Sequence, residues 1–347
     1  MNRTKIILAD TDEIYLSPLE TKFLEELWKS AEFEVITEQD YFNEFFSEPR
    51  SADILVVSET LYSDRLKKHN ISKIFVLTES MEANGRNEGY IGIYKYTSIG
   101  EIYHQIMATS PELVKSETGR LQRTRVIAVT SASGGVGKTT VALGLSACMA
   151  KKFYKVLYID AEILQSFHYH MSAPAALPHT APLPDFEDRA KLFEWIKPLL
   201  CHEHFDYLPP FGASLDSLGM ALDFFVSILE AARSSDVYDV IIVDTDTSMN
   251  QAKAKLLTMA DKAVMVVTQS PQAVFSMNLL MKNVNCSDGE KFCFVCNKFL
   301  STKENALISA KVKPDFIVSE YIHYTDMLAL NELAMNQDLD KLAFLLM

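Results

Sequence analysis

The sequence predicts two α/β domains, each built around a mostly parallel β-sheet. Three observations predict it. The chain has 347 residues, which is about twice the length of a typical domain of ~150 residues. Short apolar runs alternate with helical patterns through both halves, as in parallel sheets covered by helices. Between the halves, residues 109–124 are polar and lack a sustained apolar period, so they read as a linker. The expected organisation is a first domain at 1–110, a linker at 111–124 and a second domain at 125–347.

Taken in order, the first half suggests strands at 4–9, 33–38, 52–58, 73–78 and 90–95. It suggests helices at 17–30, 39–48, 62–69 and 99–108. Residues 79–89 are too few and too polar for a good helix. In the second half, strands are expected near 125–130, 154–159, 205–208, 239–243, 263–267 and 292–296. Helices are expected near 138–151, 216–233, 250–259, 271–284 and 326–346. Unbroken apolar runs such as Val240-Ile-Ile-Val243 read as central strands buried on both faces. Pro174, Pro178, Pro182 and Pro184 make 171–187 a loop.

Composition narrows the function classes. Hydrophobic residues make up 48%, enough for sizeable cores, so global disorder is excluded. No apolar run approaches the ~18 residues of a membrane span. The first acid, Asp10, comes too early for a signal peptide. Five scattered cysteines do not make a disulfide framework. A soluble cytoplasmic protein is expected. The net charge of −13 divides into −7 over 1–124 and −6 over 125–347. Neither half offers the basic surface that attracts nucleic acid by counterion release.

Glycine is scarce at 12 residues, yet Gly134, Gly135 and Gly137 fall within four positions. They follow the strand Arg125-Val-Ile-Ala-Val-Thr130 and precede a helix. Strand, glycine-rich turn and helix form the setting of a phosphate-binding loop. Glycines let backbone N–H groups close around phosphate oxygens, and the helix N-terminus favours negative charge. Within Gly134, Gly135, Val136, Gly137, Lys138, Thr139 and Thr140, Lys138 can reach the β/γ-phosphates and the Thr139 hydroxyl can ligate Mg²⁺. Ala132 replaces the pattern's first glycine. Two further apolar strands end in acids. Tyr238-Asp-Val-Ile-Ile-Val-Asp244 offers Asp244 for the magnesium shell. Lys155-Val-Leu-Tyr-Ile-Asp160 offers Asp160, with Glu162 two residues on, to orient attacking water.

Ser133-Gly-Gly-Val-Gly-Lys-Thr-Thr140 resembles the phosphate loop of the MinD/ParA ATPases, Lys-Gly-Gly-x-Gly-Lys-Thr-Thr, over a domain at 125–347. The resemblance implies a P-loop NTPase fold with a mostly parallel sheet, ATP and Mg²⁺ as ligands, and a homodimer. Asp160 matches the first acid of the family's Asp-x-Asp, and Glu162 replaces the second. Asp244 matches the Walker-B acid; family members then usually show a Pro and a Gly, and here Asp246 and Ser248 stand nearby instead. Phe292-Cys-Phe-Val-Cys-Asn-Lys298 resembles the adenine-reading segment, which puts Asn297, with Lys298 beside it, in the nucleotide set. Ser133 replaces the lysine that reaches across the dimer. The expectation is tight Mg-ATP binding with slow turnover.

Residues 1–110 resemble a response-regulator receiver, a flavodoxin-like fold. Asp10, Asp12 and Glu13 supply its acid cluster, Thr78 its hydroxyl and Lys95 its lysine. Ser58 stands at the phosphoacceptor position, which argues for an interaction module and not a phosphorylation switch. The pair of domains resembles the TadZ/CpaE group of pilus-assembly proteins. That resemblance implies a scaffold at a cell pole or the inner face of the membrane, with pilus-assembly and secretion proteins as partners. The alternatives are a ParA/MinD-type partition or positioning ATPase and a response regulator with ATPase output.

Weaker patterns have plain readings. Cys293 and Cys296 lie three apart on a strand and face opposite ways, so they cannot share a metal. His168, His170, His202 and His204 read as loop histidines. The amphipathic segment 338–347 has one lysine and two aspartates. That is a poor match for anionic lipid, and docking on the domain body is expected. Lys115, Arg120, Arg123 and Arg125, with only Glu117 among them, make a small basic patch that reads as a solvated linker.

Overall fold

The computed structural model describes residues 3–28, 30–110, 124–172, 175–177, 189–213, 219–309, 312–326 and 329–347. The expected linker, apart from Thr124, and most of the proline-rich stretch lie outside the described residues. Two compact units divide the chain: Met1–Gln122 with Lys152–Tyr154, and Arg123–Lys151 with Lys155–Met347.

The first unit runs β1 (Thr4–Ala9), α1 (Glu13–Leu27), β2 (Ala31–Ile36), α2 (Gln39–Phe45), β3 (Ser51–Ser58), β4 (Asn70–Thr78), β5 (Gly85–Asn87), β6 (Tyr90–Tyr94) and α3 (Ile99–Thr109). The sheet order is β2-β1-β3-β4-β6-β5. All pairs are parallel except the edge hairpin β5–β6. Alternation along β1 builds two cores. Ile6 and Leu8 join Leu16, Leu19, Phe23, Ile102 and Ile106 on one face, and Ile7 and Ala9 join Phe42, Leu55 and Val57 on the other.

Two helices differ from expectation. α1 starts at Glu13, not 17, because the Asp12 carboxylate accepts from Tyr15 N at 3.2 Å and caps it. Pro18, which resembles a first-turn proline, lies inside the helix. The helix expected at 62–69 is only a 3₁₀ turn, Asp64–Lys68. Leu66 is its one buried residue, so no apolar stripe exists to hold an α-helix down.

The second unit runs β7 (Arg125–Thr130), α4 (Lys138–Lys151), β8 (Val156–Asp160), α5 (Arg189–Ile196), β9 (Cys201–His202), β10 (Asp206–Tyr207), α6 (Leu222–Ser234) and β11 (Val240–Asp244). It continues with α7 (Gln251–Met259), β12 (Lys262–Val267), α8 (Pro271–Met281), β13 (Phe292–Phe299), β14 (Val318–His323), α9 (Leu330–Leu333) and α10 (Gln337–Leu346). The sheet order is β14-β13-β12-β7-β11-β8-β10-β9, and only β9 runs antiparallel. From β7 the chain crosses to β8 on one side, and β12 later pairs with β7 on the other. Such a strand-order reversal opens a crevice at the carboxyl ends of the strands.

β14 and α5 were not expected. β14 is an edge strand with polar Ser319 and Glu320, and its burial is partial. The helix expected at 326–346 is two helices. Asn336 breaks it, because its side chain accepts from Asp338 N and Leu339 N and starts α10 afresh. α10 docks as the amphipathic pattern suggested. Leu339, Leu342, Ala343 and Leu346 are buried, and α10 packs on α4 and β14. The approach is close: a Cβ on Gly144 of α4 would lie 2.4 Å from Leu339 Cδ1. No helix among the described residues is long and apolar enough to cross a membrane.

Leu339→Ala removes the side chain that fills this contact. The expected cost is about 2–5 kcal/mol of stability, read as a lower urea midpoint for the second unit.

Candidate nucleotide-binding site

β7 carries the chain into the loop at 131–137, and α4 begins at Lys138. Gly135 and Gly137 adopt φ of +72° and +86°, conformations that a side chain resists. Gly134 and Gly135 are exposed, so their backbone is open to a ligand. Ser131 Oγ donates to Ser133 O at 2.7 Å inside the loop. The end of β13 braces the loop from behind. Asn297 Nδ2 donates to Val136 O at 2.8 Å and Gly137 O at 3.4 Å, and Lys298 Nζ donates to Gly135 O at 2.8 Å. A Cβ on Gly137 would sit 2.4 Å from Asn297 Nδ2, so close approach as well as φ demands glycine there. In this arrangement Asn297 and Lys298 hold the loop's carbonyls. A crevice of about 30 Å³ opens between Thr140, Asn297, Lys298 and Tyr324. It has room for roughly one water, so a nucleobase would lie at its mouth or widen it.

The acids come from neighbouring strands in register. Asp244 of β11 is the direct partner of Asp160 of β8, and both carboxylates are buried at the strand ends. Asp160 Oδ1 accepts from Glu162 N at 2.8 Å. Tyr158 OH donates to Asp244 Oδ2 at 3.3 Å. Asp160 Oδ2 and Asp244 Oδ1 are buried without a hydrogen-bond partner. Burial, and then the Asp244 charge, push Asp160 well above the usual carboxylate range. Asp244 is pushed up to about 7, first by burial and then by the Glu162 charge, while Thr139 and Lys138 pull the other way. Lys138 is itself engaged: its Nζ lies 3.0 Å from Glu162 Oε1. Phosphate binding would therefore compete with, or share, that ion pair.

One residue of this neighbourhood escaped sequence reasoning. Lys253 of α7 is fully buried, and its Nζ donates to Asp246 O at 2.7 Å and Thr130 Oγ1 at 3.4 Å. Burial lowers its pKa to about 8. In Gln-Ala-Lys-Ala-Lys nothing separates it from Lys255, which lies half exposed beside Glu230.

In the first unit the acid cluster also assembles. Lys95 Nζ lies 2.7 Å from Asp10 Oδ2 and 3.7 Å from Asp12 Oδ2. Ser58 is buried, with its hydroxyl 3.0 Å from Thr60 Oγ1, and Thr78 Oγ1 donates to Ser80 O and Ile93 O. Glu13 is exposed on the first turn of α1. Of the weaker patterns, Cys296 is buried and Cys293 half-buried. His202 pairs with Asp206 and His204 with Asn331.

A family model described as an AAA domain matches residues 124–167, from the start of β7 past β8. The flagellum site-determining protein YlxH of Helicobacter pylori is 30% identical over 215 residues, covering 58% of this chain and 68% of that protein. The chain belongs to the MinD/ParA family of P-loop ATPases. The antiactivator FleN of Pseudomonas aeruginosa is 25% identical over 56% of this chain and 69% of its own length. Among solved structures, a ParA family ATPase from Chlorobium tepidum has a TM-score of 0.53 at 17% identity, covering 65% of this chain and 99% of its own. It shares the fold.

Family membership implies nucleotide binding with Mg²⁺, and the residues fit the ion. Two buried carboxylate oxygens lack partners, and the Thr139 hydroxyl adjoins Asp244. No group of three or more His, Cys, Asp or Glu among the described residues forms a self-sufficient metal cluster. Mg²⁺ does not need one, since it binds through one or two carboxylates plus phosphates and waters.

Asp244 also predicts a trade-off. Its folded pKa of about 7 lies above the ordinary value of about 4. Its contribution to the nucleotide-free protein is therefore fully present below about pH 4 and is lost as pH rises towards about 7. Asp244→Asn should raise the melting temperature of the nucleotide-free protein at pH 8. It should also weaken Mg-ATP binding roughly ten-fold or more. A lower melting temperature with unchanged binding would contradict this.

Proposed function

We propose that this chain is an ATP-binding positioning protein with slow hydrolysis, acting as a dimeric scaffold for Tad (Flp) pilus machinery at a cell pole. The carrying observation is the nucleotide site itself. It keeps a phosphate loop, Lys138 and the paired acids Asp160 and Asp244, while Ser133 stands where the family has a lysine. The loop and acids support binding. Serine carries no charge and cannot reach a partner's phosphates, so the cross-dimer aid to hydrolysis is missing.

In this reading Lys138 and the loop backbone take the phosphates, and Thr139 and Asp244 hold Mg²⁺. When bound, the ion neutralises charge on the phosphate oxygens. Asp160 and Glu162 lie where water would be oriented, and Glu162 must leave Lys138 to serve there. The base lies against Asn297 and the crevice beside Tyr324.

Three further observations support the finer reading. The parallel strands of the first unit follow the flavodoxin-like order 2-1-3-4-5 when β6 is counted fifth. That agrees with a receiver-like module. Ser58 cannot form the acyl phosphate of a receiver, which favours an interaction role. A similar protein from Helicobacter pylori is named for determining a flagellum site, so placement of a surface appendage is a fitting task.

The test is the mass of the full chain in solution with and without Mg-ATP, alongside phosphate release. A dimer with little release is expected. Ser133→Lys should raise release by roughly ten-fold or more. Unchanged turnover in that variant would count against the assignment. Salt-sensitive DNA binding would favour a partition ATPase, and labelling of the first unit by a small phosphodonor would favour a response regulator.

A further inference from the structure

The turn that leaves β11 is wound by side chains. Thr245 N and Oγ1 donate to Val129 O at 3.2 and 2.9 Å. The Asp246 carboxylate accepts from Ser248 N and Oγ, and Asn250 Oδ1 accepts from Lys253 N at 2.9 Å. Asp246 lies two residues after the metal-side acid Asp244. Thr130 is the last residue of β7, directly before the phosphate loop. Beside the Thr245 tie to Val129, a second group bridges these two places: the Lys253 ammonium, bonded to Asp246 O and Thr130 Oγ1.

Its setting is unusual for structural packing alone. The side chain is fully buried, and its shortest bond goes to a neutral carbonyl. The nearest carboxylate oxygen, Asp246 Oδ1, is 3.4 Å away. A buried ammonium so weakly paired costs stability. Beyond Asp246, the charged groups that act on it are Lys138, which Glu162 holds, and Asp244, the strand partner of Asp160. Ser133 of the loop is neutral, and the Lys298 ammonium reaches Gly135 O from β13.

We propose that Lys253 is a positioning residue for nucleotide binding. Its ammonium pins the turn after Asp244 to the strand end that feeds the phosphate loop, and it adds a buried positive charge to those of Lys138 and Lys298. Lys253 does not touch the phosphates; it fixes Asp246, and through the turn Asp244, relative to the loop. The inference rests on the nucleotide-binding reading above. Its consequence is specific. Losing the charge should loosen residues 245–250 and misplace Asp244 while the sheet stays intact.

The experiment uses the full chain and Mg-ATP. Wild type, Lys253→Met and Lys253→Arg are compared by Mg-ATP titration and by backbone hydrogen exchange without nucleotide. Lys253→Met should bind Mg-ATP roughly ten-fold more weakly, and the arginine variant should recover most of that loss. Exchange in the methionine variant should rise at 245–252 and not in β12 or β13. A folded Lys253→Met with binding within about two-fold of wild type and unchanged exchange overturns the proposal. So does exchange raised across the whole unit with no recovery by arginine, which marks a packing residue only. Should Lys253→Met not fold, Thr130→Val removes one arm of the bridge. Faster exchange at 245–252 in that variant supports the pin, and none overturns it. A wild-type chain that does not bind Mg-ATP fails the nucleotide reading instead, and the exchange comparison still tests the pin.

Discussion

Two carboxylates are held side by side out of water. The parallel register of β8 and β11 makes Asp160 and Asp244 direct partners, and both are buried. Like charges in such a place repel, and desolvation adds to the cost. Without nucleotide the protein meets that cost by holding protons, as the raised pKa of each acid records. One oxygen of each acid still has no hydrogen-bond partner. A divalent cation with its phosphates would satisfy what the chain leaves unsatisfied. The site gives up stability for ligand binding, a common trade at functional centres.

The rest of the second unit holds the phosphate loop against that pair. β7 lies beside β11 and ends where the loop begins. The end of β13 clasps the loop through Asn297 and Lys298, which is why Gly137 can carry no side chain. Behind the loop, α4 is buried along most of its length, between the sheet and α10. The contact of Gly144 with Leu339 lets α10 come that close. The amphipathic segment therefore buries Leu339, Leu342, Ala343 and Leu346 in the fold and leaves Phe344 and Leu345 exposed.

Much of this was legible in the sequence because it is local. Unbroken apolar runs mark central strands, and clustered glycines between a strand and a helix mark the loop. Acids at the ends of such strands mark the ion side. What was not legible depends on neighbours distant in the chain. Lys253 and Lys255 look alike in sequence, and only the fold buries one beside Thr130 while leaving the other near the surface. β14 pairs at a sheet edge, where mixed polarity hides a strand. α9 ends at Leu333 and Asn336 caps a new helix, where periodicity alone reads one helix. The contact of Asn297 with Val136 of the loop likewise joins residues 161 apart in the chain.

The acid pair is most directly tested by counting protons. Preformed Mg-ATP is titrated calorimetrically into the full chain near pH 7, in two buffers of different ionisation heat. Burial and the neighbouring acids raise Asp244 and Asp160 above the usual carboxylate range, so the pair holds protons more tightly there without ligand. Ligation of a cation requires the carboxylate form. Net proton release on binding is expected. Binding with no release, or with uptake, would contradict the assignment of Asp160 and Asp244 as the buried receptor for the ion.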